Sequence, residues 1–192
     1  MSRWVSLLSN PRIIAGKARG HRLRSVPGNT TRPITDRVKE ALFSILGADI
    51  QDATFLDLFA GTGSVGIEAL SRGAAFVRFV DNNHHAITTI KLNLKHTHLE
   101  EHAEVLLTDA FVLLRHPPDR QFDYIYVAPP QYKGLWELTM MALDAIPDWL
   151  SPDGWIIIQI DPVEYQAKTY TNFQEFDQRR YGSTLLVFLE RR

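Results

Sequence analysis

The sequence predicts an α/β fold, a doubly wound and mostly parallel sheet finished by an antiparallel hairpin and preceded by a basic β-hairpin arm. Three observations carry this. From residue 54 onward, short apolar runs alternate with segments of helical periodicity, the pattern of βαβ units with right-handed crossovers. A glycine-rich turn, Gly61-Thr62-Gly63-Ser64-Val65-Gly66, joins the first run to its helix. The last two runs, Phe173–Arg180 and Ser183–Glu190, meet through Tyr181-Gly182 with no helix between them, so their pairing is antiparallel.

The elements follow in order. Arg12-Ile13-Ile14-Ala15 and His21-Arg22-Leu23-Arg24 flank Gly16-Lys17-Ala18-Arg19-Gly20 and read as two short strands around a turn. Val38, Ala41, Leu42, Ile45 and Leu46 keep helical spacing up to Gly47, with Thr35 or Asp36 as cap. Strands are expected over Thr54–Phe59, Ala75–Val80, Ala103–Leu107, Phe122–Val127 and Trp155–Ile160. Helices are expected over Ser64–Arg72, His84–Lys95, Phe111–Leu114 and Leu135–Leu150, the last with Leu135, Leu138, Ala142, Ala145 and Ile146 facing inward. The boundary expected near residue 30 separates an arm (1–30) from the sheet domain (31–192).

Composition narrows the function classes. The 192 residues contain no cysteine, which excludes a disulfide framework, a thiol nucleophile and a cysteine-based metal site. The seven histidines lack zinc-like spacing, and no metal is expected. No apolar run approaches the ~18 residues of a membrane helix. Met1–Ser9 reads as a loose terminus rather than a signal peptide, and the expected setting is cytoplasmic. The net charge of −1 hides a division: residues 1–40 hold nine Lys/Arg against two acids, and the rest is acidic. A basic arm on an acidic body suits a polyanion, although scattered surface arginines produce the same count.

The glycine turn matches the dinucleotide pattern G-x-G-x-x-G, and Asp81 follows Gly61 where a ribose-binding acid is expected. A nicotinamide-dependent oxidoreductase therefore stands as one reading. Three features favour S-adenosylmethionine. Asp57 precedes the loop on its strand, where a carboxylate suits a ligand carrying an ammonium and a sulfonium. Thr108-Asp109-Ala110 follows the third strand, where an aspartate can accept from an adenine amine. Ala128-Pro129-Pro130 closes the fourth strand, beside where a transferred group would sit. All lie at strand carboxyl ends near the topological switch point. Each acid has a plainer alternative: Asp57 anchoring the loop, Asp81-Asn82-Asn83 capping the next helix, Asp109 forming a turn.

Three stretches resemble the bacterial methyltransferases that modify guanine N2 in small-subunit (16S) ribosomal RNA. They are Arg12-Ile13-Ile14-Ala15-Gly16 with Gly20 and Leu23, Thr31-Arg32-Pro33-Ile34-Thr35-Asp36-Arg37-Val38-Lys39-Glu40-Ala41-Leu42-Phe43, and Asp57 through Gly73. The resemblance implies a Rossmann-like, seven-stranded sheet in the order 3-2-1-4-5-7-6 with the last strand antiparallel. It implies S-adenosylmethionine held by Asp57, Phe59, Gly61, Gly63, Gly66, Asp81, Asn82, Asp109 and Ala110. It implies RNA gripped by Arg12, Lys17, Arg19, Arg22, Arg24, Arg32 and Arg37. The partner would be ribosomal RNA, in the small subunit or an assembly intermediate, and the chain a monomer.

One departure stands out. The family carries Asp-Pro-Pro and an aromatic residue; this chain has Ala128-Pro129-Pro130-Gln131-Tyr132. Ala128, Pro129, Pro130 and Tyr132 are the expected catalytic positions. The backbone carbonyls of Ala128 and Pro129 would serve as acceptors for the amine, or Asp161 would substitute. Tyr132 or Trp136 would stack on the base. Methylation of adenine N6, and an RNA-binding assembly factor with little catalysis, remain as alternatives.

Overall fold

A computed structural model describes residues 10–28 and 34–192. The expectations placed on Met1–Ser9 and on Thr31–Pro33, Arg32 included, lie outside the described residues. Helix α1 spans Asp36–Leu46; the Thr35 side chain accepts from the Val38 N–H, and Gly47 with φ 59° ends it. Strands β1 (Thr54–Asp57), β2 (Phe76–Asp81), β3 (Ala103–Leu107) and β4 (Phe122–Val127) alternate with α2 (Ser64–Ser71), α3 (His84–Thr97) and α4 (Ala110–Leu114). After α5 (Leu135–Ala145) come β5 (Leu150–Ile160), β6 (Phe173–Tyr181) and β7 (Thr184–Arg191).

The sheet order is β3-β2-β1-β4-β5-β7-β6. The first five strands pair in parallel, whereas β7 lies antiparallel between β5 and β6. The order matches the expectation, and it places the switch point between β1 and β4. Alternate residues of each central strand feed opposite cores, because side chains on a strand point to opposite faces. Phe55, Tyr124, Tyr126 and Ile157 enter the core under α1, α2 and α3. Leu56, Ile125, Val127, Ile156 and Ile158 enter the core under α4 and α5. Among the described residues, no helix is long and apolar enough to cross a membrane.

Three elements differ from the sequence expectation. The arm's two strands reduce to one antiparallel bridge, Arg12 with Arg22. Other N–H groups of the arm bond to the helices beneath it: those of Ile14 and Ala15 to the Glu68 carboxylate, that of Ala18 to Ser71 Oγ, that of Arg24 to Asn93 Oδ1. Ile13, Ala18 and Leu23 sit in the same core as α1–α3, so the arm is anchored to the sheet body.

The inward face of α5 is Trp136, Thr139, Met140 and Leu143, and Leu138 is exposed. Apolar residues occur around most of this helix, so periodicity could not select the buried stripe. The helix also stops at Ala145, followed by a 3-10 turn at Pro147–Trp149. Finally, β5 starts at Leu150, with a register shift between its pairings to Phe122 and Tyr124.

Candidate functional site

The glycine loop leaves β1 at Asp57 and enters α2 at Ser64. Gly61 adopts φ +55°, and a Cβ there would meet open space, so its backbone is approachable from the strand-tip side. Gly66 plays a different part. A Cβ on it would lie 2.3 Å from Phe79 Cε1, so it lets α2 close onto β2 rather than lining the open face. Gly63 is the left-handed N-cap of α2.

Asp57 is 1% exposed. Burial pushes its carboxyl up to about 7, with the Asp81 charge acting in the same direction and the Gly66 and Phe59 N–H groups acting against it. Its Oδ1 has no hydrogen-bond partner among the described residues. A buried acceptor left unpaired is costly, and a cationic group entering the crevice would supply the partner.

Asp81 and Asp109 occupy the tips of β2 and the turn after β3, and each has a local structural bond. Asp81 Oδ2 accepts from the Gly61 N–H at 2.8 Å and Oδ1 from the Asn83 N–H at 2.8 Å. It therefore ties the glycine loop to the start of α3, while Asn83 is the helix cap. Asp109 Oδ1 caps α4 through the Phe111 N–H at 2.8 Å, and its Oδ2 lies 3.5 Å from Asn82 Nδ2. Phe59 meets Phe111 edge-on at 6.4 Å, and Ala110 is buried. The structure thus brings Asp57, Phe59, Gly61, Asp81, Asn82 and Asp109 to one edge of the sheet.

Beyond β4, Pro129 is buried, Ala128 half-buried and Pro130 exposed. Among the described residues, none donates a hydrogen bond to the carbonyl of Ala128 or Pro129, so both can accept. Tyr132 is exposed, with φ +61°. Trp136 is 3% exposed and stacks on Tyr165 at 6.5 Å; it belongs to the core, which removes it as a stacking partner for a base. Asp161 accepts from the Tyr132 hydroxyl and from the Val163 N–H.

On the arm, Lys17, Arg19, Arg22 and Arg24 are exposed, as is Arg37 on α1. Arg12 is paired with Asp36 at 3.0 Å. A cleft of ≈ 460 Å³ separates the arm from α3, lined by Asn10, Arg24, Ser25, His85 and Thr88. A larger cleft, ≈ 590 Å³, lies between α5 and the segment before β6 and shares no residue with the predicted site. Among the described residues, no group of three or more His, Asp or Glu could hold a metal ion.

Sequence reasoning missed what fastens the arm. Glu68 is 0% exposed and Lys39 1%. Glu68 accepts from the Ile14 and Ala15 N–H groups at 2.8 and 3.0 Å, and from Arg72 Nε at 2.8 Å. Lys39 Nζ lies 3.4 Å from Glu68, and it donates to the Arg12 carbonyl and Ser64 Oγ. The available signal was a lone glutamate inside the apolar run Val65-Gly66-Ile67-Glu68-Ala69-Leu70.

Residues 11–190 match the family described as conserved hypothetical protein 95. The chain is 36% identical over 183 residues to the Bacillus subtilis protein named "Putative rRNA methyltransferase YlbH", covering 94% of this chain and 99% of that one. It is 36% identical over 152 residues to the ribosomal RNA small subunit methyltransferase D of Haemophilus influenzae, covering 78% of each chain. A solved structure, the putative methyltransferase yhhF from Escherichia coli, superposes with a TM-score of 0.83 at 31% identity, covering 94% of this chain and 97% of that one. With the family pattern spanning both the arm and the sheet, the chain belongs to the ribosomal RNA small subunit methyltransferase D family, the family described as conserved hypothetical protein 95.

Proposed function

We propose that this chain methylates the exocyclic N2 amine of a guanine in small-subunit (16S) ribosomal RNA, with S-adenosylmethionine as methyl donor. The observation that carries the reading is the buried Asp57 carboxylate, unpaired at Oδ1, beneath a glycine loop open on its strand-tip side. That donor set fits the ligand: an ammonium would satisfy Asp57, and Asp81 and Asp109 retain acceptor capacity for ribose hydroxyls and an adenine amine.

Bound S-adenosylmethionine supplies an electrophilic methyl group on a sulfonium. The protein's part is alignment and charge stabilisation. The carbonyls of Ala128 and Pro129 accept from the guanine amine, orienting it and favouring the positive charge that develops on it. In-line placement of the amine supplies much of the rate. Exposed Arg19, Arg22 and Arg24 supply phosphate contacts that set the RNA's register but carry no sequence information. The base is turned out of its stack to reach the pocket, at a cost of a few kcal/mol.

The test is to incubate the protein with labelled S-adenosylmethionine and small ribosomal subunits or partly assembled particles, then to identify the modified nucleoside. N2-methylguanosine is the expected product. N6-methyladenosine would assign the rival base. Ligand binding without transfer would favour the assembly-factor reading, to which Ala128 in place of the family aspartate lends its support.

A further inference from the structure

We infer that Asp161 and Glu164 are positioning residues that hold Tyr132 rigid as the platform for the target base, a role that rests on the nucleobase-methylating reading above. Tyr132 stands between β4 and α5 with φ +61°, a left-handed conformation that a side-chain-bearing residue keeps only where its surroundings enforce it. Two hydrogen bonds hold the residue, one at its backbone and one at its ring tip. The Tyr132 N–H donates to Glu164 Oε2 at 2.7 Å, and the phenol O–H donates to Asp161 Oδ2 at 2.8 Å. Both carboxylates come from the turn after β5, 32 and 29 residues along the chain. Asp161 is itself fixed, because its Oδ1 accepts from the Val163 N–H at 3.0 Å.

Tyr132, so held, is 67% exposed. Trp136 nearby shows the opposite behaviour, being buried and stacked on Tyr165. An exposed aromatic residue held at backbone and ring tip, two and three residues after Pro130 and Pro129 in the chain, has little value for packing. It suits a base, since every base has a π face and a pre-ordered ring loses little entropy on stacking. One Asp161 oxygen accepts from the Tyr132 hydroxyl and the other from the Val163 N–H, which ties this carboxylate into the clamp. On this reading Asp161 acts through Tyr132, and the amine is left to the carbonyls of Ala128 and Pro129.

The experiment measures initial rates of tritium transfer from labelled S-adenosylmethionine to small ribosomal subunits prepared from cells lacking this protein. Tyr132→Phe and Asp161→Ala should each raise KM for the particle by about 2- to 10-fold, with a smaller fall in kcat. The double variant should be no worse than either single one, because both remove the same bond. Tyr132→Ala should raise KM by roughly 5- to 150-fold through loss of stacking. Glu164→Gln, whose amide oxygen still accepts from the Tyr132 N–H, should retain most of what Glu164→Ala loses. Calorimetric affinity for S-adenosylmethionine should be unchanged throughout, which a folding defect would not allow. A fall in kcat on adding Asp161→Ala to Tyr132→Phe would overturn the clamp and make Asp161 an amine acceptor. Wild-type kinetics in every variant would overturn it too. An inactive wild-type chain would remove the methyl-transfer reading together with the platform, whereas an active one with additive losses would remove the clamp alone.

Discussion

Glu68→Ala tests the fastening of the arm most directly. The substitution removes a fully buried carboxylate that is paired with Lys39 and Arg72 and bonded by two arm N–H groups. It leaves the Lys39 ammonium buried without its partner, a change worth about 3–5 kcal/mol. Against a total stability of about 5–15 kcal/mol, and about 2–4 °C per kcal/mol for a chain of this size, Tm should fall by roughly 6–20 °C. Trypsin should cleave the arm at Arg19 or Arg22 faster than in the wild type.

The pH dependence has a defined sign. Burial holds the Lys39 pKa below 10.5, and Glu68 opposes that shift. Without Glu68 the folded state releases the proton more readily than the unfolded chain does. The stability deficit is therefore largest below the folded pKa and shrinks as pH rises towards 10.5. Removing both charges, as Lys39→Met with Glu68→Leu, should recover the lysine's share of the loss. It should not recover all of it, because the Ile14 and Ala15 N–H groups stay unpaired. Calorimetric melts at pH 7 and 9 decide the matter: a Glu68→Ala protein melting within 2 °C of wild type (roughly 0.5–1 kcal/mol on the same scale), or a double variant fully restored, would refute the assignment.

Other predictions follow the same physics. Asp57, raised to about 7 when folded against 3.8 in its ordinary state, binds its proton more tightly in the folded chain. Its stability contribution is thus present below pH ~4 and lost as pH rises through about 7. Asp57→Asn should raise stability at pH 8, by up to about 4 kcal/mol, while S-adenosylmethionine affinity falls; calorimetry in two buffers of different ionisation enthalpy should show proton release on binding to the wild type only. Asp109→Asn keeps the cap on α4, so a melt should be nearly unchanged while affinity for the cofactor drops; equal affinity would take Asp109 out of the adenine site. Reversing Arg22 and Arg24 to Glu should flatten the dependence of log Kd on log salt by about 1.4 for single-stranded RNA, and an unaltered slope would return the arm to a solvated surface. Ala128→Asp should raise turnover about tenfold or more if the backbone carbonyls limit the rate; no gain in kcat would show that acceptor strength is not limiting.

How much was legible in the residues follows from which interactions are local. Strand–helix alternation, the glycine turn between Asp57 and Ser64 and the hairpin at Tyr181-Gly182 all express short-range preferences, and the sheet formed as they required. The stretch from Asp57 to Gly73, with Asp81, Asp109 and the double proline, falls at strand ends as expected, because strand ends and the turns after them are marked by residue type. The inward face of α5 was not legible, since an apolar helix offers several candidate stripes and only the packed sheet selects one. Nor was the arm's pairing, because its N–H groups found Glu68, Ser71 and Asn93, residues about 50 to 70 positions away.

The chain's order of residues therefore determined the α/β architecture, the glycine turn at the strand tips and the basic character of the arm, all of which depend on periodicity, turn chemistry and charge count. Only the folded molecule decided that a buried Lys39–Glu68 pair fastens the arm, that Trp136 is core, and that Asp161 and Glu164 grip Tyr132. Those outcomes turn on hydrogen bonds between segments far apart in sequence, and their geometry exists only once the sheet has brought the partners together.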